Sequence, residues 1–250
     1  MTYNMQMNYK IGFFIRSFDG DAKWLERTLP LNVERLSGYS DICVSGIANE
    51  CEKVIAICDK NGVRFVPHDE SAHIPTGYIN QQYSKLCADQ LMPDMDFIMY
   101  GDSDSFALRP CSVDEWTIDG KPYMMHTPWH KVGQATCWHA PTWVATGIYP
   151  KYEYMRRLPM VYPSALLKSA REHLELLHNM TLCNYLARVP CFSEFNFLGH
   201  YAYERRHEMF TWIDTMDDSI TWPDIPFKQC WSHGDLEEQM GDHTTTGMNK

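Results

Sequence analysis

The sequence predicts an α/β protein built on an open mixed sheet, mostly parallel and flanked by helices. Three observations point there. Short apolar runs alternate with amphipathic stretches at a strand–helix rhythm through the first hundred residues. Gly, Pro and Asn punctuate them at the turns. Two carboxylates follow one apolar run directly, at the strand end where sheets of this class bind ligands.

IGFFI (11–15) is a short, evenly apolar run, as expected of a buried strand. RSFDGD turns the chain into an amphipathic stretch from Ala22 to Leu36. DICVSG (41–46) is a second strand, and ECEKVIAICDKNG (50–62) a helix stopped at Asn61-Gly62. VRFV (63–66) is a third strand ending at Pro67. YINQQYSKLCADQL (78–91) has helical spacing and leads into the strand DFIMY (96–100). Residues 122–147 read differently, rich in aromatics and prolines and poor in charge. PSALLKSAREHLELLHN (163–179) is an amphipathic helix, and FSEFNFLGHYAYERRHE (192–208) is another, opened by Ser193 as its N-cap. FTWID (210–214) is a late strand. No repeat or linker divides residues 1–250, so one domain is expected, with halves of about 10–120 and 121–235.

Composition narrows the classes. No run of eighteen apolar residues predicts a membrane span. MTYNMQMNYK does not read as a signal peptide, and nine unpaired-looking cysteines suit reduced thiols, so a cytoplasmic location is expected. The net charge of −10 argues against a generic polyanion binder. That charge is uneven: −8 over residues 1–120, +4 over 121–210 and −6 over 211–250. The basic middle, with Lys151, Arg156, Arg157, Lys168, Arg171, Arg188, Arg205 and Arg206, is either a set of solvated helix faces or a surface for an anionic acceptor.

FIMYGDSDSF (97–106) carries the chemistry. Asp102 and Asp104 stand one residue apart, and crowding like charges is costly unless something neutralises them. Two carboxylates at this spacing can converge on a divalent cation, and hard oxygen ligands suit Mg²⁺ or Mn²⁺. The competing reading is an ordinary acidic turn. Gly101 is expected to permit a sharp bend before the pair.

These stretches together resemble a metal-dependent, nucleotide-sugar glycosyltransferase of the GT-A fold, in its small bacterial and phage forms. IGFFIRSFDGDAKWLERTLP is similar to the first strand and helix, and TGYINQQYSKLCADQL with DFIMYGDSDSFALRP to the helix and DxD block. YPSALLKSAREHLE and FSEFNFLGHYAYE are similar to the acceptor-side helix and a Ser-Glu-aromatic motif. The resemblance implies a UDP-sugar as the donor. It implies that Asp102 and Asp104 hold Mn²⁺ or Mg²⁺ and the donor diphosphate, with His233 as third metal ligand and Asp235 in reserve. It places Gln82 and Lys85, one helical turn apart, near the diphosphate, and Arg16, Ser17 and Asp19 near base and ribose. Glu194 is the expected general base; behind Ser193 and between Phe192 and Phe195 it should be desolvated, which raises a carboxyl pKa. The other reading of Glu194 is a first-turn acid that complements the helix dipole.

His126, His130, Cys137 and His139 are zinc-type ligands, but without a Cys-x-x-Cys and among Trp129, Trp138 and two prolines they read better as an aromatic acceptor wall. The implied acceptor is a glycan hydroxyl or a hydroxymethylated pyrimidine in phage DNA, which would have to be flipped out of a duplex. A nucleotidyltransferase with paired aspartates is the alternative enzyme, weakened because RSFDGD offers a single glycine for a phosphate loop. A non-catalytic binding domain is the third reading.

Overall fold

The computed structural model describes residues 9–70, 74–133, 137–156, 158–219, 224–230 and 236–240. Its main sheet contains β1 (Ile11–Arg16), β2 (Asp41–Gly46), β3 (Arg64–Pro67), β4 (Phe97–Asp102) and β9 (Met160–Pro163), in the order β3-β2-β1-β4-β9. The first four run parallel, and β9 pairs antiparallel with β4. The open mixed, mostly parallel α/β sheet expected from the sequence is therefore present, with β9 as its antiparallel strand.

Every residue of β1 is buried, because helices cover both faces. Alternate side chains feed two cores. Ile11, Phe13, Ile15, Phe97 and Met99 point to one, against Leu25 and Leu29 of α1 (Ala22–Arg35) and Val54 and Ile57 of α2 (Glu52–Asn61). Phe14, Ile98 and Tyr100 point to the other, against Ile79, Tyr83 and Leu86 of α3 (Gly77–Leu86). Gly62, at φ 65°, ends α2 as expected. The helix predicted over 78–91 breaks at Cys87, leaving a short α4 (Ala88–Leu91).

The second half adds β6 (Thr117–Ile118), β7 (Lys121–Pro128), β8 (Tyr152–Glu153) and β10 (Thr211–Asp214), joined around β7. Its helices are α5 (His139–Thr146), α6 (Ser164–His178), α7 (Leu182–Leu186) and α8 (Glu194–Arg205). α6, α8 and β10 were legible; β7, β8 and α5 were not, because their aromatic- and proline-rich sequence lacks a clear period. Of the expected aromatic wall, His126 joins a pile of rings, whereas Trp138 bonds Tyr78 instead. His126 lies 4.5 Å from Tyr152, and Tyr203 4.9 Å from Trp212, ring centroid to centroid.

Beyond Asp104, β5 (Ser105–Ala107) pairs antiparallel with β11 (Phe227–Gln229), and α9 (Leu236–Met240) follows. This pairing brings the far end of the described chain beside the acid pair.

Candidate active site

β4 ends on Asp102, so the first acid is the last residue of a strand and not part of a free turn. Gly101 does not serve a bend. A Cβ there would lie 2.4 Å from the Phe13 ring, so glycine is required by close packing. The loop beyond is fastened from below. Ser105 Oγ accepts from the Asp102 amide at 2.8 Å, Thr28 Oγ1 donates to the Ser103 carbonyl at 2.7 Å, and the hydroxyls of Ser103 and Ser17 share a hydrogen bond of 2.9 Å.

The two aspartates are unequal. Both oxygens of Asp102 are engaged: Oδ1 accepts from Lys85 Nζ at 2.9 Å and Oδ2 from Gln229 Nε2 at 3.2 Å. Asp104 is buried, and its Oδ1 has no hydrogen-bond partner. Burial and then the Asp102 charge push its carboxyl up to about 7. A cation would satisfy the orphan oxygen and reverse the repulsion, so this donor set fits a hard divalent ion held by Asp102 and Asp104. Among the described residues no third His, Cys, Asp or Glu joins them. His233 and Asp235 lie outside the described residues.

Lys85 organises the cavity. Its ammonium, 4% exposed as a residue, reaches Asp102 and also Glu194 Oε1 at 3.1 Å, and sits 5.0 Å from the centre of the Phe195 ring. Burial disfavours that charge, but the two carboxylates outweigh it and hold the lysine above its ordinary pKa. Glu194 is therefore buried, as expected, but ion-paired instead of isolated among phenylalanines. Ser193 caps α8 by accepting from the Asn196 amide at 3.2 Å.

Lys85, Gln82, Asp102, Glu194, Gln229 and Arg156 line one cavity of about 210 Å³, completed by the apolar side chains of Met155, Leu158, Met160 and Phe195. Gln82 and Lys85 do face the same way. Gln82 Oε1 is buried without a partner. Arg156 is paired with Glu153, a fully buried acid that also accepts from the Met155 amide at 2.9 Å and is held by Asn196. Gln229 and Glu153 were invisible in the sequence, since they arrive only through β11 and β8, and Arg156 stood out only as one of the basic middle's charges.

A second cavity of about 550 Å³ adjoins the first, sharing Tyr78 and Gln81, and is lined by Arg16, Phe18, Asp21, Glu50 and Asn80. Arg16 is expected here and found here. Its Nη2 donates to Asn80 Oδ1 at 2.8 Å, and burial lowers its pKa. Ser17 and Asp19 line neither cavity. Ser17 is buried beneath the Ser103 loop, and Asp19 Oδ1 accepts from the amides of Lys53 and Val54 at 2.9 and 3.2 Å, which caps α2.

The zinc-type histidines are dispersed. His126 stands in the aromatic pile, and His139 Nε2 bonds the Pro150 carbonyl at 3.0 Å. The basic middle is partly consumed inside the molecule. Arg171 is buried in a pair with Asp89, Arg156 faces the cavity, and Arg157 lies outside the described residues.

No family model matches the chain, and neither does any curated protein. Solved structures do. The galactosyltransferase LgtC, in complex with donor and acceptor sugar analogues, superposes with a TM-score of 0.50 at 13% identity, over 76% of this chain and 69% of that one. Glucosyl-3-phosphoglycerate synthase from Mycobacterium tuberculosis, in complex with Mn²⁺, UDP and glucosyl-3-phosphoglycerate, follows at 0.49 and 10% identity, over 94% and 76%. 4-Diphosphocytidyl-2C-methyl-D-erythritol synthase from Anaerococcus prevotii gives 0.46 and 16%, over 87% and 94%. This chain shares with LgtC a mixed α/β fold built on a mainly parallel sheet.

Proposed function

We propose that the chain is a glycosyltransferase that moves a sugar from a nucleoside diphosphate, a UDP-sugar, to an acceptor hydroxyl. One observation carries this reading. Two acids of different origin, Asp102 from the end of β4 and Glu194 from the start of α8, face one cavity and share the Lys85 ammonium between them.

The larger cavity suits the nucleoside. Phe18 and Tyr78 are exposed aromatics on which a base can stack, Arg16 can donate to base carbonyls, and Asp21 and Glu50 can accept from ribose hydroxyls. Asp102 and Asp104 would hold Mn²⁺ or Mg²⁺, with His233 as the proposed third ligand. Such an ion supplies charge neutralisation for a leaving diphosphate. Lys85 adds a fixed cation beside it, and Gln82 a buried acceptor in the same wall. Glu194 accepts the acceptor's hydroxyl proton, positioned by Lys85 and by the Ser193 cap.

The smaller cavity has room for about one sugar or base ring, and its remaining charges are paired internally, which favours a neutral hydroxyl acceptor. A glycan end and a flipped hydroxymethylated pyrimidine both meet that description. Incubating the protein with a panel of nucleotide sugars and Mn²⁺, with release of UDP as the readout, tests the donor half. Transfer to hydroxymethylated DNA or to glycans, followed by mass spectrometry, tests the other. Absence of metal-dependent turnover or binding with every nucleotide sugar would overturn the proposal.

A further inference from the structure

Close to Tyr78, which lines both cavities, lies a pair of cysteines. Of the nine cysteines, Cys43, Cys51, Cys58, Cys87, Cys111 and Cys230 are buried, while Cys137 is exposed and Cys183 and Cys191 are half-buried. Cys137 and Cys191 are 54 residues apart in the chain and adjacent in space. The Cys191 thiol donates to the Cys137 carbonyl oxygen at 3.6 Å.

Their chain neighbours bond Tyr78. Tyr78 lines both cavities. Its hydroxyl accepts from Trp138 Nε1 at 2.9 Å and donates to the Phe192 carbonyl at 3.0 Å. The residue after each cysteine is thus already tied to Tyr78, and Phe192 leads directly into Ser193 and Glu194.

We propose that Cys137 and Cys191 form a reversible thiol-oxidation site whose disulfide fastens the Trp138–Tyr78–Phe192 clasp. The co-reactant is a low-molecular-weight disulfide. The thiolate of the exposed Cys137 attacks one sulfur of that molecule, forming a mixed disulfide and releasing one thiolate, which takes up a proton. Cys191, deprotonated, then attacks the Cys137 sulfur and releases the second thiol. Two protein thiols lose two electrons and two protons, and the small disulfide becomes two thiols. Burial and the neighbouring Cys137 raise the Cys191 thiol above its ordinary value, which suits Cys191 to the second, intramolecular step. The site stands on this geometry whichever reaction the cavities perform.

The test is oxidation of the intact protein by oxidised glutathione, followed by blocking of free thiols and peptide mapping. The expected result is one intramolecular cross-link between the peptides holding Cys137 and Cys191, reversed by dithiothreitol. Amide exchange at residues 137–139 and 191–194 should slow by about tenfold in the oxidised protein. Cys183→Ser should leave the cross-link intact, whereas Cys137→Ser and Cys191→Ser should each abolish it. Should a serine variant fail to fold, mapping of the wild-type chain still decides. Stable glutathione adducts on both residues, a cross-link between other cysteines, or no reaction at Cys137 would overturn the proposal, as would unchanged exchange at the clasp.

Discussion

The two halves of the molecule hold their functional groups by different means. In the first, β1, β2 and β4 are laid side by side with long apolar runs, and charged or polar groups emerge at their ends. In the second, the strands other than β7 are short and the chain is pinned by side chains. Carbonyls of residues 144, 146, 148 and 150 each accept from a histidine, respectively His178, His173, His200 and His139, all at 3.0 Å. The first half is a frame, the second a set of clips, and Lys85 joins them by reaching Asp102 in one and Glu194 in the other.

The most damaging single change should be at that junction. Lys85→Met leaves two carboxylates facing each other without a counter-charge, which costs about 3–5 kcal/mol when one partner of a buried pair is removed. Denaturant unfolding would show it; a loss under 1 kcal/mol would mean that the halves are joined by apolar packing alone. Lys85→Arg should recover part of the stability.

Asp104→Ala should separate catalysis from framework. Turnover of a nucleotide sugar is expected to fall by about 10²–10³-fold, the loss typical when one electrostatic stabiliser goes. The melting temperature should hold or rise, since a buried, partnerless oxygen is removed. Full turnover in this variant would dismiss the acid pair as a site.

Acid should weaken both halves, by different routes. Asp104 is raised to about 7, so protons compete with a metal there, and Mn²⁺ affinity should fall by up to about tenfold per pH unit below that value. Titration calorimetry at several pH values measures it. In the second half, burial lowers the pKa of His200 from 6.5. Between 6.5 and the lowered value the unfolded chain binds more protons than the folded one, so this stability is present above 6.5 and lost as pH falls. Thermal melts of His200→Gln should show a shallower decline in acid than the parent.

The smallest effect tests the acceptor. Charge reversal at Arg205 and Arg206, both exposed at the end of α8, should weaken DNA binding modestly and only at low salt if DNA is the acceptor. For a small saccharide it should change nothing.

Much of the frame was legible because its physics is local. β1, α1, β2, α2 and α6 follow from apolar period and from Gly62, and Asp102, Asp104, Gln82 and Lys85 could be placed from one strand and one helix. Long-range pairing hid the rest. Gln229 reaches Asp102 from 127 residues away, and nothing in FKQC marks it as a ligand. Asp19 had the right place after β1 but a competing task, capping α2. Gly101 was noticed for flexibility, yet the Phe13 ring determines it, and no sequence pattern reports a ring packed on a neighbouring strand.

The pairing of β11 with β5 sets an order of events at birth. Cys230 donates its amide to the Asp104 carbonyl at 2.8 Å, and Gln229 completes the shell of Asp102. A chain still emerging from the ribosome can lay down β1 to β4 and most of their helices while the acid pair lacks its last support. The fold core thus precedes the site in synthesis, and a nascent chain interrupted before residue 227 would carry both aspartates without the strand that holds their loop in shape.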